Sequence, residues 1–169
     1  MIKKGGYKDK SKSSWELFKY IKMGIKDKST GIIPIFVNDN KENLFLVVLH
    51  KDGHWAFPKG HQKIGESDLD TVKRELYEET GVEDVKLENL KEFLEFYSFE
   101  KNGKKYNKKV KYFIGFVSDN KTKTPNEFKH EIKQMKWLNY SKALDIITFA
   151  ESINMLNEVK KYLEEITCK

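Results

Sequence analysis

The stretch that decides the reading is Gly60-His61-Gln62-Lys63-Ile64-Gly65-Glu66-Ser67-Asp68-Leu69-Asp70-Thr71-Val72-Lys73-Arg74-Glu75-Leu76-Tyr77-Glu78-Glu79-Thr80-Gly81-Val82. Its second half carries the marks of a helix from about Asp68 to Thr80: Ser67 is a candidate N-cap, acids occupy the first turn, and Gly81 supplies the stop. On such a helix Glu75, Glu78 and Glu79 fall at i, i+3 and i+4, so their carboxylates leave one side about a turn apart. Leu69, Val72 and Leu76 fall on the other side, spaced to lie against a sheet. Three carboxylates this close repel one another and raise their own pKa values unless positive charge sits among them. A hard divalent cation with oxygen ligands answers that need; magnesium suits phosphate chemistry, with manganese as a substitute. For three glutamates alone, a solvated acidic face is the simpler reading.

The surroundings change that balance. Arg74 is the only arginine in the chain, whose basic side is otherwise lysine. A planar, permanently charged fork is thus placed where the carboxylates gather, with Glu66 and Glu78 as its candidate partners. Taken together, Gly60, Glu66 and the run from Arg74 to Val82 resemble the Nudix box at every fixed position. By average residue usage, a chance match to seven fixed positions is on the order of one in a billion. The resemblance implies an α/β fold, an α/β/α sandwich with a mixed sheet, in which the box forms a metal-binding loop and helix. It also implies hydrolysis of a nucleoside diphosphate linked to another group, by water attack on phosphorus. Carried over by position, Glu75, Glu78 and Glu79 are the metal-binding and catalytic glutamates, Gly60 lies at the metal, and Arg74 holds the geometry.

The flanks narrow the expected substrate. The approach Pro58-Lys59-Gly60-His61 is similar to that of the asymmetric diadenosine tetraphosphate hydrolases. On this resemblance Lys59 and His61 are substrate-binding residues, Lys59 placing a point charge where a polyphosphate lies. Further on, Lys109-Val110-Lys111-Tyr112-Phe113 looks like the strand that carries a phosphate-binding lysine and an adenine-stacking tyrosine, here Lys109 and Tyr112. His130-Glu131 before Trp137-Leu138 looks like the segment that supplies another carboxylate, making Glu131 a candidate general base. The bland alternatives are a core aromatic at Tyr112 and a surface charge at Glu131.

The rest of the chain bounds the function. With 169 residues, a single domain is expected, residues 1–14 forming a basic tail and 15–169 the folded unit. Ser14 can cap a short helix from Trp15 to Met23. Strands are expected at 30–37 and 44–50 about an Asn38–Asn43 turn, at 85–99 and 109–118 about a lysine-rich turn, and at 132–138. A final helix over 150–166, with Thr148 and Glu151 as a capping box, buries Ile153, Leu156, Val159 and Leu163. The longest apolar run, Leu44 to Leu49, is too short to span a bilayer, and the N-terminus lacks an apolar signal core. With one cysteine, Cys168, no internal disulfide can form, and a cytoplasmic monomer is expected. The net charge of +6 suits a polyanionic partner, nucleotide or RNA, but lysine without arginine is weak evidence for base reading. Competing readings are an enzyme acting on RNA 5′ ends by pyrophosphate removal or decapping, one acting on diphosphoinositol polyphosphates or nucleoside diphosphate sugars, and a non-catalytic nucleotide or RNA sensor.

Overall fold

The computed structural model describes residues 24–167, so the expected helix from Trp15 to Met23, the basic tail and Cys168 lie outside the described residues. Strand β1 (Ile25–Val37) is the spine of an eight-stranded mixed sheet. β2 (Asn43–His50) returns antiparallel to it, while β7 (Lys104–Val117) runs parallel to it from Ile25↔Tyr106 to Ile35↔Phe116. β3 (Trp55–Ala56) and β8 (Ile132–Leu138) pair with β2; β4 (Lys59–Gly60) pairs with β1; β5 (Val85–Leu87) and β6 (Phe93–Lys101) pair with β7.

Side chains alternate between the two faces of a strand, and this sorts the core into two layers. Ile33, Ile35, Val110, Tyr112 and Ile114 point to one face, where α2 (Tyr140–Ile146) contributes Ala143 and α3 (Ala150–Thr167) contributes Met155, Leu156, Val159 and Leu163. Ile32, Leu46, Phe113 and Val117 point to the other, where α1 (Asp68–Thr80) inserts Val72 and Leu76. Each fully buried Ile, Leu or Val contributes roughly 1.5–3 kcal/mol. The result is the expected α/β/α sandwich. None of the helices among the described residues is long and apolar enough to cross a membrane.

Three local features differ from the sequence reading. The lysine-rich turn between the paired strands is only Asn102-Gly103, both at positive φ (52° and 69°), so β6 and β7 continue nearly to its tip. An Asn-Gly pair is the favoured two-residue hairpin turn, because both central residues must adopt left-handed backbone. The segment read as one strand over 85–99 is broken at Asn89 and Leu90, also at positive φ, into β5 and β6. The third difference is at the last helix, which starts at Ala150: the Thr148 hydroxyl accepts the Trp55 backbone N–H at 2.8 Å instead of capping it.

Candidate active site

α1 is built as its caps dictate. The Ser67 hydroxyl accepts the Asp70 N–H while the Asp70 carboxylate accepts the Ser67 N–H, and Gly81 ends the helix in left-handed backbone (φ 73°) with its N–H on the Tyr77 carbonyl. Arg74 then fans across the site. Its Nε donates to Glu66 Oε1 at 2.6 Å and Nη2 to Glu66 Oε2 at 2.9 Å. Its Nη1 donates to Glu75 Oε1 at 2.6 Å and Glu78 Oε2 at 3.0 Å, and Nη2 also reaches the His61 carbonyl at 2.9 Å. Charge-assisted bidentate contacts of this kind are among the stronger hydrogen bonds. The Arg74 contact, helped by the Lys63 N–H, holds the Glu66 carboxyl down at about 2.

Two of the three glutamates are recessed, and Glu78 is partly exposed. Glu75 is 8% exposed and Glu79 4%, because β4 lies directly over them. Burial raises the Glu75 carboxyl, with Arg74 only partly opposing. Burial also pushes Glu79 well up, Lys59 opposing it while Glu75 and Glu131 add to it. Glu79 Oε2 is buried without a hydrogen-bond partner. β4 can pass this close only because Gly60 lacks a side chain: a Cβ there would lie 2.0 Å from Glu75 Oε1.

These carboxylates form one wall of an open cleft of about 890 Å³, which Lys59, Lys63, Lys108 and Glu131 also line. Aromatic rings flank it on two sides. Tyr97 and Phe99 of β6 lie 6.2 Å apart, and Phe99 stacks on Tyr106 at 5.2 Å. Across the cleft His50 stacks on His54 at 4.6 Å, and His54 lies 5.3 Å from Phe149.

Of the residues singled out in the sequence, Lys59, Gly60, His61, Arg74, Glu75, Glu78, Glu79 and Glu131 come together in this cleft. Glu131 stands at the rim with a 55% exposed side chain, and its carbonyl holds the Lys51 N–H. Tyr112 and Lys109 do not join them. Tyr112 is fully buried, its hydroxyl donating to Glu95 Oε2 at 3.4 Å and its ring edge-on to Phe57, so no face is open to a base. Lys109 points to the opposite side of the sheet, its Nζ 5.7 Å above the Phe96 ring. The basic residue of β7 inside the cleft is its neighbour Lys108, since a shift of one residue along a strand reverses the face. Lys108 bonds Asp27 at 2.9 Å, and both meet His61 Nε2, at 3.0 Å from Lys108 and 2.7 Å from Asp27. Burial lowers the Lys108 ammonium while Asp27 opposes; burial works to raise Asp27, but Lys108 and His61 outweigh it and hold it low. Asp27, Lys108, Tyr97, Phe99, His54 and Phe149 were missed in the sequence; the alternation about the Asn102-Gly103 turn was the signal that could have placed Tyr97, Phe99 and Lys108 together.

The NUDIX domain profile matches residues 27–158. The chain is a Nudix hydrolase. It is 33% identical over 127 residues to the asymmetrical bis(5′-nucleosyl)-tetraphosphatase of Rattus norvegicus, covering 74% of this chain and 84% of that one. It is 28% identical over 148 residues to the RNA pyrophosphohydrolase of Bartonella henselae, covering 76% and 85%. The fold is shared with a C. elegans Ap4A hydrolase binary complex, with a TM-score of 0.69 and 24% identity over 82% of this chain and 98% of that one.

Nudix hydrolases generally use divalent metal ions. Among the described residues no three His, Cys, Asp or Glu side chains already converge as a ligand set, and Arg74 bonds both Glu75 and Glu78. The donor chemistry of this Nudix site nevertheless fits such an ion. Glu79 offers a buried oxygen that no protein donor satisfies, and burial raises both the Glu75 and Glu79 carboxyls even though Arg74 and Lys59 oppose it. All are hard oxygen ligands, the type that magnesium and manganese take.

Proposed function

We propose that this Nudix hydrolase cleaves diadenosine tetraphosphate asymmetrically to ATP and AMP, with magnesium as its ion and manganese as a substitute. The observation that carries the reading is one cleft holding recessed carboxylates and lysines between two aromatic walls. A polyphosphate with a nucleoside at each end has that same order of charge and rings. Glu75, Glu78 and Glu79 would hold the ion beside the Gly60 backbone. When bound, it neutralises the polyphosphate and lowers the pKa of an attacking water. Lys59 and Lys108 take phosphate oxygens, Lys108 kept in place by Asp27. Tyr97 with Phe99, and His54 with Phe149, offer rings to the nucleosides. His61 orders the Asp27–Lys108 pair rather than the substrate. Glu131 accepts a proton from the water as its oxygen bonds to phosphorus and the bridging P–O bond breaks. Arg74 keeps Glu75 and Glu78 in position throughout. The chain works as a cytoplasmic monomer on this reading.

A second reading, pyrophosphate removal from RNA 5′ ends, is supported by the likeness to the Bartonella enzyme. A non-catalytic sensor has no need of the intact carboxylate set. The test is a panel of diadenosine tetraphosphate, 5′-triphosphorylated and capped RNA, diphosphoinositol polyphosphate and a nucleoside diphosphate sugar, each with magnesium. Diadenosine tetraphosphate is expected to turn over fastest, and Glu78→Gln to lower that rate by orders of magnitude without unfolding the protein. Faster release of pyrophosphate from RNA would reverse the assignment, and binding without turnover of any compound would favour the sensor.

A further inference from the structure

The sheet face turned away from the cleft carries a charged and aromatic surface that hydrolysis does not use. The pairing registers place Lys28, Lys109 and Phe96 in one row across β1, β7 and β6. Lys26, Asn107 and Ser98 form an adjacent row, and Thr30, Lys111 and Leu94 the row on the other side. Alternation puts all of these opposite Lys108 and Tyr97, which line the cleft. α1 covers this face toward Ile32, Phe113 and Val117, and its first residue, Asp68, reaches Thr30 and Lys111. Beyond it Phe96 is 54% and Leu94 39% exposed. Lys111 is neutralised by Asp68 at 2.7 Å and Glu92 at 2.8 Å. Among the described residues the ion pairs include none to Lys26, Lys28 or Lys109. In sequence, residues 1–23 add Lys3, Lys4, Lys8, Lys10, Lys12, Lys19 and Lys22 against Asp9 and Glu16, a further excess of positive charge.

A surface of lysines around an exposed ring calls for a polyanion that also has flat apolar faces. We propose that this face docks single-stranded RNA, Lys26, Lys28 and Lys109 taking phosphates and Phe96 stacking a base. Lysines bind phosphate as point charges rather than reading base edges, so the binding is tolerant of sequence. The Ser98 hydroxyl, donating to the Asn107 side-chain carbonyl at 2.7 Å, places an acceptor oxygen between the lysines to which a ribose 2′-hydroxyl can donate. The proposal holds whatever the cleft hydrolyses.

The test is fluorescence anisotropy of the full chain with a labelled 5′-hydroxyl RNA of roughly 12 nucleotides, within the span such surfaces cover. This probe has no phosphoanhydride and is no substrate. Lys26→Glu with Lys28→Glu should flatten the log–log salt dependence of affinity by about 1.4, the contribution of two phosphate contacts on a single strand. Phe96→Ala should weaken binding about fivefold to a hundredfold, as loss of one stacked base does. Both variants should keep the wild-type unfolding temperature and the wild-type hydrolysis rate, and nucleotide in excess should not displace the RNA from Glu78→Gln. Wild-type protein that fails to bind, variants that bind like wild type, displacement by nucleotide, or equal binding of DNA of the same sequence would each overturn the proposal. Lost hydrolysis in wild type would strike the proposed substrate and leave this binding intact.

Discussion

Gly60→Ala perturbs the site at its tightest point. The added Cβ would stand 2.0 Å from Glu75 Oε1, 2.1 Å from its Cδ and 2.3 Å from Oε2, where ordinary contact begins at 3.4 Å. The carboxyl must therefore retreat by roughly 1.4 Å, or β4 must lift. Neither is easy. Arg74 grips Glu75 Oε1 at 2.6 Å, and β4 is tied to β1 through Thr30↔Gly60 and Gly31↔Lys59. Misplacing a catalytic group by about 1 Å costs about 100-fold, so turnover of diadenosine tetraphosphate should fall at least that far. Overpacking costs about 1–3 kcal/mol, which for a chain of this size lowers Tm by about 2–12 °C. Gly65→Ala is the control. Its φ of 86° strains an alanine, but the new Cβ meets nothing within 4 Å. It should lose about 1–2 kcal/mol of stability to the backbone conformation and keep turnover within about threefold. The assay is AMP release by anion-exchange chromatography, with thermal unfolding in parallel. If Gly60→Ala turns over within about threefold of wild type, Glu75 does not need the position β4 leaves for it, and the reasoning fails.

Lys108→Met should raise KM for diadenosine tetraphosphate about tenfold by removing a phosphate contact, while Lys109→Met leaves it unchanged; steady-state kinetics on both decides which side of β7 faces the substrate. Tyr112→Ala should cost about 3–5 kcal/mol of stability as a large core truncation, and an unchanged Tm with a raised KM would put the ring back in the cleft. Glu66 has its carboxyl held from 4.5 down to about 2 by Arg74, so its contribution to stability is complete above pH 4.5 and is lost as pH falls toward 2. Glu66→Gln should accordingly flatten that acid limb of a Tm-against-pH curve, and an identical limb in the variant would dissociate Glu66 from it.

Much of this site could be read from local spacing. The helix from Asp68 to Thr80, its Ser67 and Gly81 caps and the Arg74–Glu66 pairing follow from neighbours within about two turns, where residue chemistry and geometry are tied closely. β8 was likewise legible from its run of residues. What escaped depends on partners distant in the chain. The recession of Glu75 and Glu79 follows from β4 lying over α1, which no helical periodicity reveals. Lys109 was assigned from the resemblance of the 109–113 run, whereas the face each β7 residue takes is fixed by the pairing with β6 about Asn102-Gly103, which turns Lys108 to the cleft. Thr148 looked like a cap because its spacing to Glu151 fits one, yet its hydroxyl holds Trp55, 93 residues away.

On the proposed reading, this cleft directs water to one phosphorus of a dinucleoside tetraphosphate. The most direct test is hydrolysis of diadenosine tetraphosphate in ¹⁸O-labelled water with magnesium, the products separated and weighed by mass spectrometry. ATP and AMP are expected in equal amounts, with one labelled oxygen carried by one of the two products. Two molecules of ADP, or label divided between ATP and AMP, would contradict it.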